Sequence, residues 1–141
     1  MRVAIVAGIL AAATVACGCG GAREVEVRGS TRSFANLGGP LWVLVVDADA
    51  FDDGEQSPVI ARLAQEHEPG DFAIAVETDA ETLEVFAIRD NDESRTCSQG
   101  DETADARVVI GDTEHVDVPE LDVSASPAGP IVDCPSYAAL F

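Results

Sequence analysis

The chain has 141 residues and a formal net charge of −18, and its 8 basic residues are all arginine. So acidic a surface repels phosphate backbones and anionic headgroups, which argues against a nucleic-acid partner and favours divalent cations or basic ligands, or solubility alone. The length suits one domain able to bury a core.

The first residues have a distinct layout. Arg2 precedes an uncharged apolar stretch from Val3 to Ala16, followed by Cys17, Gly18, Cys19, Gly20 and Gly21. The stretch is shorter than the roughly 20 residues a membrane span needs, and it ends in small residues, as a secretory signal peptide does. Residues 1–16 are therefore expected to be a removed leader and 17–22 a small-residue tether. Thr14-Val15-Ala16-Cys17 resembles the signal box of bacterial lipoproteins, with Thr14 standing where Leu is usual. That resemblance implies acylation of Cys17, with Cys19 behind Gly18 as the alternative. It also implies an extracytoplasmic protein held to the bacterial membrane by its lipid, with Gly18 pointing to the outer rather than the inner membrane. An ordinary secreted protein is the plainer reading of the same leader.

Beyond the tether, Glu24 to Arg28 alternates polar and apolar and predicts a half-buried strand. Gly29 to Pro40 reads as a loop. Leu41 to Val46 is a continuous apolar run around Trp42 and predicts a central strand with Trp42 in the core. Asp47 to Ser57 reads as an acidic loop. Pro58 to His67 is two-sided. Val59, Ile60, Leu63 and Ala64 fall at helical spacing behind Ser57 and Pro58, whereas Val59, Ala61 and Leu63 share one face of a strand. Phe72, Ile74 and Val76 alternate with small or polar residues and predict a strand, joined tightly through Asp79-Ala80 to another over 81–89. Ala106 to Ile110 and Glu114 to Val118 flank Gly111-Asp112-Thr113, a hairpin signal. Pro119 demands an edge strand or a bulge. Residues 124–141, with three prolines, read as an irregular tail.

From Glu24 to about Val123 the chain resembles the seven-stranded β-sandwich modules of the transthyretin-like or carboxypeptidase-regulatory type. The residues that carry the likeness are Leu41 to Asp47, Pro58-Val59, Pro69 to Ile74, and Leu83 to Asp92. The resemblance implies a strand at Pro58 to Gln65 and an all-β, single Greek-key sandwich over 23–123. A helix at 58–67 would instead make an α+β domain. Regular strands with recurring turn signals support the sandwich independently.

Two cysteines remain in the body and tail, Cys97 and Cys134. In an oxidising compartment a lone pair is most simply a disulfide, worth about 3–4 kcal/mol on the chain-entropy account, and it would tie the tail back. A zinc site formed with His67 and His115 is the alternative, but the spacing matches no standard zinc pattern.

The strongest constellation for chemistry is Asp90, Asp92, Ser94 and Asp101. Carboxylates at relative positions 1, 3 and 12 with a hydroxyl at 5 echo a calcium loop, because calcium takes six to eight hard oxygens on a flexible segment. Arg95 occupies the position where the helix-flanked form of that loop has Gly, and Asp101 is shorter than Glu. A second acidic group, Asp47, Asp49, Asp52 and Asp53, would join this ion if both lay at one end of the sandwich, and is otherwise a solvated loop. Neither histidine sits in a nucleophile–base pattern, and no Gly-x-Ser-x-Gly elbow or phosphate cradle is present. The reading is a lipid-anchored, non-enzymatic structural or binding module of the cell envelope, with the membrane and an envelope protein or glycan as partners. Alternatives are a calcium-dependent recognition module for a basic peptide or glycan, and a carboxylate-based hydrolase.

Overall fold

A computed structural model describes residues 21–33, 38–54, 59–65, 68–96 and 100–123. Cys17, Cys19, Cys97, Cys134, His67, Glu55 and the tail from 124 lie outside the described residues. The order is β1 Arg23–Arg32, β2 Leu41–Asp47, α1 Ala48–Asp52, β3 Val59–Gln65, β4 Asp71–Thr78, β5 Thr82–Arg89, β6 Glu102–Val109, β7 His115–Asp117 and β8 Leu121–Asp122. Two four-stranded sheets result. One runs β4-β1-β7, with β8 also on β1, and the other runs β3-β2-β5-β6. The fold is an all-β sandwich with a single short helix among the described residues.

The two sheets differ in how they meet water. In β4, exposed and buried residues alternate strictly, and Phe72, Ile74 and Val76 point inward with Val25 and Val27 of β1. That is the period-2 signature of a sheet with one wet face. In β2 and β5 the burial is continuous. Leu41, Val43, Val45, Leu83, Val85 and Ala87 enter the core between the sheets. Trp42, Leu44, Val46, Phe86 and Ile88 form a second cluster on the opposite face. The uninterrupted apolar run at 41–46 is thus a strand buried on both sides.

Residues 59–65 form a strand rather than a helix. β3 pairs antiparallel with β2, Val43 opposite Leu63 and Val45 opposite Ala61, with a register shift between Val45 and Val46. Helical spacing loses because β2 would otherwise present an unpaired, wholly apolar edge. Three expectations are corrected. β1 continues through Gly29 and Ser30 to Arg32, with Gly29 opposite Phe72. A Cβ on Gly29 would stand 2.7 Å from the Phe72 ring, so a larger residue there would require that ring to shift. The acidic segment after β2 contains α1. Asp47 caps it, its Oδ1 accepting the N–H groups of Asp49 (3.0 Å) and Ala50 (3.1 Å). Finally, Gly111-Asp112-Thr113 is not a hairpin turn. β6 pairs with β5 while β7 lies parallel to β1, so the turn crosses between sheets.

Pro119 falls between β7 and β8, which both lie along one side of β1. It divides that edge into two short pieces, so the described residues hold eight strand segments where the sequence suggests seven. No helix among the described residues is long and apolar enough to cross a membrane.

Leu83 is fully buried in the inter-sheet core. Leu83→Ala is expected to destabilise the fold by about 2–5 kcal/mol, through lost burial and the cavity left behind. A urea denaturation midpoint shifted by less than that range permits would mean that the sheets do not pack face to face through this residue.

Candidate ion-binding loop

β5 ends in Arg89, which is 1 % exposed. A buried guanidinium needs acceptors, and it finds them on the connection between β1 and β2. Its Nε and NH2 donate to the Ser33 hydroxyl at 3.1 and 2.8 Å, and its NH1 donates to the Gly39 carbonyl at 3.0 Å. Burial pulls its pKa down, opposed by the nearby Glu102 carboxylate. The next residue continues the clamp, the Asp90 N–H donating to the Pro40 carbonyl at 3.0 Å. Gly39 lies flat against it, so that a Cβ there would sit 1.9 Å from the Asp90 carbonyl oxygen. At Gly38, with φ of +72°, a Cβ would meet the Asn91 side chain at 1.8 Å.

From this corner the acidic loop folds around its own carboxylates. The Asp90 side chain is fully buried. Its Oδ1 accepts the Ser94 N–H at 3.0 Å and its Oδ2 the Arg95 N–H at 2.8 Å. Asp92 Oδ1 also accepts the Ser94 N–H, at 3.1 Å. Asp101, buried at the start of the return to β6, accepts the Asn91 N–H at 2.8 Å, and the Asn91 amide donates to the Gly100 carbonyl at 2.7 Å. Glu93 and Arg95 adopt left-handed φ of 55° and 59°. Arg95 therefore supplies the conformation for which a calcium loop uses Gly at that position, at the strain cost of a β-carbon in that region.

Asp90, Asp92 and Asp101 each present an oxygen within 4.8 Å of the others. That spread fits oxygens about 2.3–2.6 Å from a shared calcium ion. Asp90 and Asp101 are buried and Asp92 is exposed, so the cluster opens to solvent on the Asp92 side. Ser94 contributes its N–H to the loop, while its hydroxyl bonds with the Thr96 carbonyl and hydroxyl. Burial is the main cause that raises the Asp90 pKa, and Asp92 and Asp101 add to it. The N–H groups of Arg95 and Ser94 oppose it.

The other acidic group lies elsewhere. Leu41 pairs with Arg89 and Asp47 with Leu83, so the two groups occupy opposite ends of β2. Six residues of strand separate them by about 20 Å, which rules out a shared ion. Asp47 caps α1, and Asp49 and Asp53 are exposed. Asp52 receives both arms of Arg107, at 2.9 and 3.0 Å, and Arg107 NH2 also donates to Glu84 at 2.7 Å. The Arg107 bond holds the Asp52 carboxyl below its ordinary range, and the two carboxylates drive the Arg107 pKa up. This clasp fastens α1 to the outer face of the second sheet. His115 is exposed on β7.

Sequence reasoning missed Arg89, Gly39 and the Arg107 clasp. For Arg89 the signal was weak, a single basic residue closing an apolar strand. For Arg107 it was an alternating basic position on an edge strand, with no mark of its partners. Against protein-family models, curated proteins and solved structures, the chain matches none.

Gly39→Ala forces a Cβ into a backbone carbonyl, and a stability loss of about 1–3 kcal/mol in thermal melts is expected. An unchanged melting temperature would contradict the packing of Gly39 on Asp90. The raised Asp90 pKa gives a second outcome. Unfolded Asp titrates near 3.9, so the protonated form favours the fold fully below that value. The contribution is lost as pH rises through the raised folded value. With divalent cations chelated, wild type should therefore lose stability relative to Asp90→Asn across that window. Parallel pH dependences of the two urea midpoints would show that Asp90 is not buried as a costly charge.

Proposed function

We propose that this chain is a lipid-anchored, extracytoplasmic β-sandwich module of the bacterial cell envelope that acts by binding or scaffolding rather than by catalysis. The apolar leader and the Cys17 box support the address, with Cys19 as the alternative acylation point. Several acyl chains would hold it stably where one alone binds reversibly. The membrane is one partner through that anchor, the outer membrane in preference to the inner. An envelope protein or glycan is the other. A disulfide between Cys97 and Cys134 would brace the loop and the tail in that compartment. The two-sheet sandwich and the strand at Val59–Gln65 support the likeness to transthyretin-like Greek-key modules.

The observation that carries a binding role is the convergence of Asp90, Asp92 and Asp101 on a loop ordered by its own backbone N–H groups. We assign calcium to it, as the cation that accepts several carboxylate oxygens on a loop between strands. The exposed side of the cluster at Asp92 favours a second reading, calcium-dependent recognition of a basic peptide or glycan, in which the ligand meets the ion or the acidic rim there.

Differential scanning calorimetry tests the ion. Calcium at about 100 times its dissociation constant should add about 2.7 kcal/mol of stability, and Asp101→Asn should remove most of the gain. A melting temperature indifferent to calcium and chelator would end the calcium assignment. Mass spectrometry of the native polypeptide tests the address, with an acylated Cys17 or Cys19 at the N-terminus expected. A chain still carrying Met1, with both cysteines unmodified, would overturn it.

A further inference from the structure

Among the described residues the two sheets have four edges, and three carry features that discourage further pairing. The β7–β8 edge is two pieces of three and two residues, divided at Pro119. β3 slips register against β2 between Val45 and Val46, and it sets the Arg62 charge over the Trp42 ring. β6 exposes the charged Asp105 and Arg107. β4 has none of these features. Its eight residues pair with β1 in unbroken register, and its exposed mid-strand side chains are only Ala73 and Ala75. The Thr31 N–H donates to the Gly70 carbonyl at 2.9 Å, which sets the parity of the ladder. Opposed pairs alternate between bonded and non-bonded along an antiparallel ladder. Phe72, Ile74 and Val76 therefore use their N–H and C=O groups on β1. Those of Ala73, Ala75 and Glu77 point toward an edge that no described strand occupies. One row of residues thus presents both its backbone groups and its exposed side chains.

We infer that β4 is a docking edge for an extended peptide segment of alternating basic and apolar residues, which adds to the first sheet as a further strand. Main-chain bonds supply the affinity in this mode, and side chains select the partner. Charge does the selecting here. Glu77 stands directly opposite Glu24 on β1, and both are exposed. The nearest arginines of β1 are engaged elsewhere, Arg23 with Asp112 and Arg28 with Glu26. Like charges directly opposed destabilise a sheet, and a lysine or arginine laid beside Glu77 relieves that repulsion. The small Ala73 and Ala75 leave room on the outer face for the stems of such side chains. The intervening residues of the added strand turn inward. There β3 lies beside β4, and its Ile60 and Leu63 are only half-buried against the core, which suits apolar side chains. A second copy of this chain is a poor occupant. Two β4 strands paired antiparallel about Ile74 set Asp71 opposite Glu77, and each copy carries a net charge of −18. The edge is separate from the Asp90 cluster, so the inference depends neither on the ion nor on the lipid anchor.

The probe is the peptide acetyl-Lys-Val-Lys-Val-Lys-Val-Lys-amide, added to the full chain. Directly opposed residues share a face, so its lysines lie beside Ala73, Ala75 and Glu77 and make the bonds to β4. Amide exchange at Ala73 and Ala75 should slow at least tenfold. N-methylation of the lysines should abolish that protection. N-methylation of the valines, whose N–H groups face away from β4, should leave it in place. Equal binding of the two methylated peptides would reduce the effect to charge attraction and overturn the inference, as would unslowed exchange at Ala73 and Ala75. Ala75→Pro removes an edge donor that β1 does not use, so a folded chain should bind the peptide at least tenfold more weakly. Undiminished binding to that folded variant would contradict the docking mode. Should the variant fail to fold, the methylated pair on the wild-type chain still decides. Protection of Ala73 and Ala75 that grows with protein concentration, without peptide, would give the edge to a second copy and contradict the inference.

Discussion

A guanidinium buried at the end of a strand has to be met by oxygen, and much of this molecule's organisation follows from how Arg89 is met. Its acceptors are the Ser33 hydroxyl and the Gly39 carbonyl, both on the connection between β1 and β2. A buried charge left without them would cost several kcal/mol. That connection is therefore drawn against the end of β5, where Pro40 takes the Asp90 N–H and Gly39 passes within contact of the Asp90 carbonyl. With Asp90 fixed at its backbone, its carboxylate becomes the centre around which Ser94 and Arg95 turn. Asp101 closes the loop from the β6 side.

The two ends of the second sheet are held by different chemistry. At the Asp47 end an arginine sits at the surface between Asp52 and Glu84, where solvent screening limits the pair to a modest contribution. There the clasp positions α1, and burial of Phe51 against Phe86 supplies the larger part of the hold. At the Arg89 end the arginine is inside and its partners are neutral, so the charge of the acidic loop remains available to a cation. The first sheet carries none of this burden on its outer face, because β4 alternates strictly between core and solvent and Val25 and Val27 of β1 point inward.

The sandwich was legible in the sequence for the reason that sheets generally are, the period-2 pattern of Phe72, Ile74 and Val76 and the apolar run at 41–46. The Asp90, Asp92 and Asp101 grouping was legible too, because spacing along one loop is enough to bring such carboxylates together. What escaped was set by contacts distant in sequence. Residues 59–65 are not among these, because the all-β reading already expects a strand there against the helical spacing of Val59, Ile60, Leu63 and Ala64, and β3 pairs with β2. The Gly111 turn has the composition of a hairpin and crosses between sheets because β7 is recruited to β1. Arg89 reaches partners more than fifty residues upstream in Ser33 and fifty in Gly39, and no local pattern announces such a bond.

Native-state hydrogen exchange on Arg89→Leu addresses this dependence directly. If the buried guanidinium organises the corner, the amides of Ser94 and Arg95 lose protection by at least an order of magnitude while the Val85 amide in mid-strand keeps its own. Equal protection of Ser94 and Arg95 with and without the guanidinium would contradict that dependence, because the acidic loop would then hold its shape independently of Arg89.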